Sequence, residues 1–427
     1  MVYRRLHSLL FVAPLIMGAY ASGLFYLAEQ SVIPITLFQL TLVVSIGGFL
    51  LLKFLSVDSS IELYGMEKWY ALFLGLIFLS CIYTPERQQA VFYAVRFSVL
   101  LGMTYLVYNF IQQPEHLRIG VYAFIGSGVV VALINLYQIY ANPEILAYNY
   151  LKQGVRIIRS TGAENDPNVF ASNFFTPILI CVAWMGVSIK KWFRLVLFGL
   201  AGVMLASVLL SYSRSAWISL FVGIITIQLF QRKNPILLYG IIALFMVLLI
   251  SPTVQNLVFS LWDRIVGIFV GEGDDSTKFR VALAMGALTM IADSYLLGVG
   301  FQGFSTYFQY LYPPQKTQWI FEPHNDFYMV FAELGLLGFI LFIVIMYLIF
   351  RQALESMRWF RDVHDNGDLH ENKWMQAVGL GFLASFVSYM VFSQFISGLM
   401  LNSLFMMLVA LIFSHSKFTI QSRIEGA

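Results

Sequence analysis

Long apolar runs, separated by short polar segments, make up most of the chain. A helix needs about 20 residues, most of them apolar, to cross the roughly 30 Å hydrocarbon core of a bilayer. Twelve runs approach or reach that length, at residues 7–27, 33–55, 68–84, 90–111, 119–141, 168–189, 193–212, 215–231, 235–254, 327–350, 374–396 and 399–414. Backbone polar groups in lipid must be paired within their own segment, which a helix achieves. The pattern therefore predicts an all-α polytopic membrane protein with about twelve transmembrane helices, in one integral-membrane domain over residues 1–427.

The lysines and arginines set the expected orientation, because cytoplasmic segments carry an excess of them. With a cytoplasmic N-terminus the inner segments hold most of these residues, so both termini are expected inside. The outer segments keep a smaller set, consisting of Arg87, Lys152, Arg156, Arg159, Arg214, Arg264, Lys278, Arg280 and Lys316. Most of this set falls in a smaller loop at 142–167, at the turn around Arg214 and in a large loop at 255–326. Positive charge gathered there favours an anionic ligand, with interface anchoring of single side chains as the alternative.

The first apolar run resembles a signal peptide. Arg4 and Arg5 precede it, and the triplet Ala19-Tyr20-Ala21 follows it. Because its apolar character continues to Leu27 and many further runs follow, we expect an uncleaved first helix.

Composition narrows the expected partners. Only 11% of the residues are charged and the formal net charge is +3, so nucleic acid is not an expected partner. Cys81 and Cys181 both fall inside apolar runs, where each is expected as a buried small hydrophobic residue and not as a disulfide or metal ligand.

The large loop contains a predicted outer helix. From Arg280 to Leu296, apolar residues recur at helical spacing, at Val281, Ala284, Met285, Leu288 and Ile291. We expect this helix to lie on the membrane or on the helix bundle, with Arg280 in its first turn. The glycines of GVGFQGF, residues 298–304, then predict a tight turn; a phosphate-binding loop is the alternative, weakened by the lack of a preceding strand.

Two predicted transmembrane helices begin on the outer side with capping residues. In TGAENDPNVFA, residues 161–171, Asp166 or Asn168 can cap a helix that begins at Pro167. A helix N-terminus attracts anions, so Asn168 is a candidate substrate-binding residue.

The segment EPHND begins the other of these helices. Pro323 rigidifies the approach, Asn325 or Asp326 can cap the helix, and His324 stands at its outward N-terminus. The positive helix end should lower the pKa of His324, whereas the neighbouring carboxylates, one of them Glu322, should raise it. The sequence leaves both directions open.

Two arginines and a histidine on one face suit a particular reaction. Arg214 and Arg280 can hold a lipid pyrophosphate and stabilise it as a leaving group. A neutral His324 can remove a proton from an attacking hydroxyl; a capping or hydrogen-bonding role is its alternative. A basic rim for donor or acceptor phosphates is expected from Lys152, Arg156 and Arg159.

Several motifs resemble the superfamily of O-antigen ligases and polymerases, which are bacterial envelope glycosyltransferases. They are SRSAW around Arg214, GVGFQGF after Arg280, and HND followed by ELGLLGFILF. TGAENDPNVFA is similar to that family's NPN-type loop, with Asp166 replacing the first asparagine. The order and sidedness of the motifs carry the resemblance over residues 161–342, whereas the first five predicted helices match only in hydropathy.

The resemblance implies a GT-C-like glycosyltransferase in the bacterial inner membrane. It would take a glycan from undecaprenyl pyrophosphate at the periplasmic face, without metal, nucleotide sugar or other cofactor. The absence of an Asp-x-Asp motif agrees with this, although the Asp274-Asp275 pair is a poor substitute. By the matching positions, Arg214 and Arg280 would hold the pyrophosphate, and His324 would activate the acceptor hydroxyl for inverting attack at the anomeric carbon.

The acceptor separates the functions that remain. An O-antigen ligase, with lipid A core as acceptor, is the favoured interpretation. A polymerase that extends lipid-linked O-antigen or exopolysaccharide is the alternative, and a protein O-oligosaccharyltransferase is less favoured. A transporter is the rival from another class, and the nearly uncharged midplane disfavours it.

Two charged residues lie inside predicted transmembrane helices. Arg96 and Glu333 each lie about six residues from the outer end, about 9 Å deep at 1.5 Å per residue, and an unpaired charge there is costly. We predict that they pair and fix the helix that follows His324 to the fourth predicted helix. Both residues, like Asn325, are therefore expected to support the site and not to act in catalysis.

Overall fold

The computed structural model describes residues 61–141, 147–152, 155–160, 166–187, 190–231, 275–311, 322–366 and 370–425, together with five helical positions between 42 and 48. The first part contains α1 (Glu67–Ser80), α2 (Arg87–Phe110), α3 (Pro114–Ala141), β1 (Ala147–Lys152), β2 (Val155–Ser160), α4 (Pro167–Ser172), α5 (Phe175–Val187), α6 (Lys191–Leu210) and α7 (Arg214–Phe230). The second part contains α8 (Asp275–Asp293), α9 (Phe304–Leu311), α10 (Asp326–Asn366), α11 (His370–Phe392), a 3-10 turn (Leu399–Leu401) and α12 (Ser403–Glu425).

Six of the described segments are long and apolar enough to cross a membrane. They are Arg87–Phe110, Pro114–Ala141, Pro167–Val187, Lys191–Leu210, Asp326–Arg361 and Lys373–Phe392. Two shorter apolar helices, Arg214–Phe230 and Ser403–Thr419, coincide with further predicted spans, and α1 coincides with the one at 68–84. The chain is therefore a multi-pass helical membrane protein.

Three of the twelve predicted spans lie wholly or largely outside the described residues. They are those at 7–27, 33–55 and 235–254. The expected count of twelve, and the uncleaved first helix, stay predictions.

The smaller predicted loop contains a β-hairpin that the hydropathy pattern did not indicate. Strands β1 and β2 pair antiparallel, with Ala147 opposite Ser160 and Lys152 opposite Val155. Only Gln153 and Gly154 separate the strands, and a two-residue connection that contains glycine is typical of tight hairpins. The signal was present in the short β-branched and aromatic runs on either side.

Helix α11 lies at the centre of the bundle. It packs against α5, α7 and α10, and its Tyr389 is fully buried. The Tyr389 hydroxyl donates to the Ser172 carbonyl at 3.1 Å, and the Ser388 hydroxyl donates to the Ser219 carbonyl at 2.9 Å. Both bonds satisfy polar groups inside the apolar bundle, where an unpaired polar group would be costly.

Helix α8 corresponds to the predicted outer helix of the large loop, and most of the apolar residues noted from its spacing are exposed. Its buried residues are Leu283, Ala287, Met290 and Ile291, and it packs on α10. Val281, Met285 and Leu288 are 48%, 52% and 47% exposed. The predicted helix is therefore present and packs on the bundle through a different set of residues, with Ile291 common to both. Arg280 lies in the second turn and not in the first, because the helix begins at Asp275.

Polar contacts close the two ends of the bundle. At one end, the Thr84 hydroxyl donates to the Phe301 carbonyl at 2.9 Å, and the Thr306 hydroxyl donates to Glu86 Oε1 at 2.9 Å. We call this the site end, because it also holds residues 322–326. At the opposite end the buried Lys417 forms an ion pair with Glu62. The compartment that each end faces stays a prediction.

Candidate active site

Asp166 begins the segment that contains Asn168. Its Oδ1 accepts from the backbone N–H of Asn168 at 2.5 Å and from that of Val169 at 3.3 Å, and Pro167 occupies the first helical position. Of the two capping residues considered from sequence, the structure therefore selects Asp166. Because the Asp166 carboxylate already takes these two amides, they are not open to an anion as the sequence suggested.

Asn168 and Ser213 connect α4 to the helix that carries Arg214. The Ser213 hydroxyl donates to Asn168 Oδ1 at 2.7 Å. The same Ser213 oxygen caps α7 by accepting from the Ala216 N–H at 3.3 Å. Arg214, the first residue of α7, is half-buried. Its backbone position is therefore fixed from both sides of the turn.

The segment EPHND is held on both flanks. Asn325 caps α10, since its Oδ1 accepts from the N–H groups of Phe327 at 2.9 Å and Tyr328 at 3.1 Å. Asp326 is buried, and its carboxylate accepts from the N–H groups of Gly398 at 2.7 Å and Leu399 at 3.2 Å. Asn325 therefore caps α10, and the adjacent Asp326 binds the connection between α11 and α12.

His324 has a left-handed backbone conformation between these anchors, with φ 50°. Left-handed φ is uncommon for a residue other than glycine and persists only where the surroundings determine it. Pro323 before it is buried, and the capping Asn325 follows it. The backbone therefore presents a half-buried imidazole at a fixed position at the site end.

Electrostatics resolves the direction that the sequence left open for His324. Desolvation by burial, and then the positive charge of Arg280, lower the pKa of the imidazole, whereas the negative charge of Asp166 raises it. The net direction is downward from the ordinary value of 6.5. Desolvation and the charge of Asp166 together raise the pKa of Glu322. His324 is therefore neutral near pH 7. Four side chains from three segments, those of Asp166, Arg280, Glu322 and His324, interact electrostatically.

The segment GVGFQGF, residues 298–304, is called the glycine loop below, and it packs against a break in α10. At Gly335 the helix adopts φ 67° and ψ −168°, which frees backbone groups on either side. Leu296 O accepts from the Leu336 N–H at 2.8 Å, and the N–H groups of Val299 and Gly300 donate to the carbonyls of Ala332 and Glu333, both at 2.9 Å. Irregular backbone in a membrane segment is tolerated when protein satisfies its polar groups in this way.

These bonds decide between the two interpretations of GVGFQGF. The Gly298 N–H donates to Ser294 Oγ, that of Phe301 to Ser80 Oγ, and that of Gly303 to the Gly300 carbonyl. With the amides of Val299 and Gly300 also used, the loop is a packed turn and not a phosphate cradle.

The predicted ion pair between Arg96 and Glu333 is wrong. Arg96 is exposed, and its Nη2 donates to the Leu401 carbonyl at 3.4 Å. Glu333 is 3% exposed, and its carboxylate accepts from the backbone N–H of Phe304 at 3.3 Å and from that of Gln302. Glu333 therefore supports the start of α9 and the glycine loop instead of an arginine on α2.

The remaining predicted residues lie on the hairpin. Leu151 is opposite Arg156, Tyr148 is opposite Arg159, and Lys152 is opposite Val155. Their proposed role as a basic rim stays a prediction.

A polar cavity of about 250 Å³ adjoins EPHND. Its polar lining comes from the start of α2, the glycine loop, α9 and EPHND, and includes Glu86, Gln89, Gln302, Thr306, Gln309 and Glu322. Sequence reasoning missed these residues, apart from Glu322. The sequence feature that could have indicated them is the presence of three polar glutamines on predicted outer segments of a largely apolar chain, in which only 11% of residues are charged.

The part of the chain that the structure describes contains no cluster of side chains that could hold a metal ion. No group of three or more His, Cys, Asp or Glu side chains there is placed to hold an ion. Asp274 lies outside the described residues, so the expected metal independence stays a prediction. Cys81 and Cys181 are buried and free, as expected.

The fold and the site together define a multi-pass membrane protein with a basic and histidine-bearing polar site at one end of its bundle. Residues 199–343 match a family model described as O-antigen ligase. This match confirms the resemblance to the O-antigen ligase superfamily, and it includes Arg214, Arg280 and His324. It supports a glycosyltransferase-like enzyme of O-antigen biosynthesis. No curated protein matches the chain significantly.

Proposed function

We propose that the chain is an O-antigen ligase that transfers a glycan from undecaprenyl pyrophosphate to a lipid A core acceptor. The reaction takes place at the periplasmic face of the inner membrane, with inversion at the anomeric carbon and without metal. The observation that carries the proposal is a half-buried His324 at a fixed backbone position, whose pKa is lowered by burial and by the positive charge of Arg280. The reaction requires a base that removes the proton of the acceptor hydroxyl and a cation that stabilises the leaving pyrophosphate. His324 and Arg280 are suited to these two roles.

In the proposed reaction, the acceptor hydroxyl loses its proton to the His324 imidazole as its oxygen attacks the anomeric carbon. The new carbon–oxygen bond forms while the bond from that carbon to the pyrophosphate oxygen breaks. The electron pair leaves with undecaprenyl pyrophosphate, whose added negative charge Arg280 and Arg214 stabilise. Arginine suits this role because it stays charged and binds phosphate oxygens with two parallel hydrogen bonds.

Reconstitution tests the proposal directly. The purified full-length chain is placed in lipid vesicles with undecaprenyl-pyrophosphate glycan and lipid A core. Glycan attached to the core is the expected product, and lengthened lipid-linked chains would replace the ligase with a polymerase. Loss of activity on treatment with EDTA would contradict the metal-free mechanism.

Two substitutions examine the proposed roles. His324→Gln should abolish transfer, since a neutral amide cannot accept the proton, and full activity in this variant would remove His324 from catalysis. Arg280→Lys keeps the charge but loses the paired hydrogen bonds, so the rate should fall. Arg351→Lys is the matched control, because Arg351 is exposed and bonded to Glu355, away from the site.

A further inference from the structure

The cavity beside EPHND differs in chemistry from the arginine side of the site. Its polar lining offers amide groups from Gln89, Gln302 and Gln309, hydroxyls from Ser305 and Thr306, and carboxylates. Among the lining residues that the structure describes, none is Lys, Arg or His. Amides both donate and accept hydrogen bonds, and hydroxyls do the same. Such a surface suits a neutral ligand with many hydroxyl groups.

Charge excludes the anionic part of the donor from this cavity. Glu86 and Glu322 both line it, and carboxylates repel a phosphate. Arg280, by contrast, is not among the lining residues of the cavity, although its positive charge acts on the His324 imidazole. Glu322 and Pro323 line the cavity and directly precede His324, so a ligand in the cavity lies next to the segment that carries the imidazole.

The size of the cavity limits its occupant. Its volume of about 250 Å³ is below the roughly 300–1,000 Å³ of pockets for drug-sized ligands, so one ring fits better than several. Phe304 and Met329 also line it and provide apolar surface for the C–H face of such a ring.

From these observations we infer that the cavity between the start of α2, α9 and EPHND binds one uncharged sugar ring of a reacting glycan beside His324. The inference rests on the proposed function and adds to it a sugar subsite. The ring belongs either to the acceptor or to the first sugar of the donor, and both present the same hydroxyl chemistry.

A neighbouring pair of glutamines gives a matched test. Gln89 lines the cavity, whereas Gln88 is exposed and does not line it. Both lie in the first turn of α2, so alanine at either position has the same effect on helix propensity. In the reconstituted full-length protein, donor and acceptor concentrations are varied independently for Gln89→Ala and Gln88→Ala.

Gln89→Ala should raise the KM of one substrate by about 3- to 10-fold, the effect of one lost hydrogen bond. Gln88→Ala should match the wild type. A raised acceptor KM assigns the ring to the acceptor, and a raised donor KM assigns it to the donor glycan; either result supports the inference. Thr306→Val should act in the same direction, and Thr306→Ser, which keeps the hydroxyl, should restore the wild-type KM.

Failure of this inference is distinct from failure of the proposed function. If the wild type transfers glycan and His324→Gln does not, while Gln89→Ala and Thr306→Val both behave like Gln88→Ala, the sugar subsite is refuted and the function stands. If the wild type transfers no glycan, the proposed function and this inference both fall.

Discussion

Ser213 and Asn168 join the first turns of α7 and α4 through a 2.7 Å hydrogen bond between their side chains. Arg214 follows Ser213 directly, so this bond fixes the origin of a side chain proposed to hold pyrophosphate. Asn168, expected from sequence to contact substrate, thus has a structural partner at the site end.

Asn168→Ala should lower the transfer rate by about 10- to 100-fold, because small displacements of a positioned group cost that much. Ser213→Ala loses both the bridge and the α7 cap, and it should also lower the free energy of unfolding by about 1 kcal/mol. Ser215→Ala is the control, since Ser215 contacts Ser213 at 3.2 Å but caps nothing in α7. Rates and thermal unfolding in detergent check this, and equal rates in all three variants would contradict it.

The pH dependence of transfer should report the neutral form of His324. Because burial and Arg280 lower its pKa, the kcat/KM of the wild type should be constant near pH 7 and fall only below the ordinary histidine value. Arg280→Gln removes one cause that lowers the pKa of His324, so this pKa should rise. The decline of kcat/KM on acidification, here called the acid limb, should therefore begin at a higher pH in the residual activity of this variant.

Asp166→Asn should move the same limb in the opposite direction. The negative charge of Asp166 raises the pKa of His324, and asparagine caps a helix as well as aspartate does. Profiles of kcat/KM against pH for the wild type and both variants test the causes assigned to the pKa of His324. Shifts of the same sign in the two variants would disprove the assigned causes.

Glu333→Ala should destabilise the protein by about 1 to 3 kcal/mol, since it leaves the buried N–H of Phe304 without its acceptor. Glu333→Gln keeps an acceptor oxygen and should cost less. Arg96→Ala, at an exposed position, should change stability by less than about 0.5 kcal/mol. Since the two residues are not in contact, the double variant should be additive within about 0.5 kcal/mol, and coupling above that would restore the ion pair.

Gly335→Ala should prevent normal folding or destabilise the protein by more than about 3 kcal/mol. An added Cβ would lie 2.3 Å from the Leu296 carbonyl oxygen, and the backbone conformation there is essentially restricted to glycine. Gly102→Ala is the matched control, because a Cβ at that position meets no heavy atom of the described residues within 4 Å beyond its own neighbours and its own helix backbone. It should be neutral or stabilise by up to about 1 kcal/mol, as judged by expression and thermal unfolding.

Cysteine labelling tests the orientation of the bundle. Both native cysteines are buried, so an impermeant maleimide should react mainly with an introduced thiol. Gln88→Cys, at the site end, should be labelled in intact spheroplasts. Lys68→Cys, exposed at the other end of α1, should be labelled only after lysis, and the reverse pattern would invert the topology.

Local signals predicted part of the fold and of the site. Asp166 before Pro167, and Asn325 before an apolar run, start helices through bonds to residues two and three positions away. Such bonds depend on neighbouring sequence alone, so their capping could be predicted. The apolar runs were equally local, and within the described residues each coincides with a helix.

Rotation about the helix axes could not be predicted in the same way. Arg96 and Glu333 were matched by depth, but depth says nothing about which way a side chain points around its helix. Arg96 faces outward and Glu333 faces the protein. Hydropathy could not distinguish the face of α8 that packs on the bundle for a related reason, because lipid is as apolar as leucine and small residues favour close helix packing. Ala287 is fully buried there while Leu288 is exposed.

The break at Gly335 also determines which residues at the site end unfold together in local opening. Residues 296–300 donate to and accept from the backbone of α10, and Glu333 accepts from the start of α9. A segment that shares its backbone hydrogen bonds with a neighbour cannot exchange its amides independently of that neighbour. The glycine loop, the first turn of α9 and the first turns of α10 therefore form one cooperative opening unit. His324 precedes that unit immediately, so the protection of these amides against hydrogen exchange measures how rigidly the imidazole is presented.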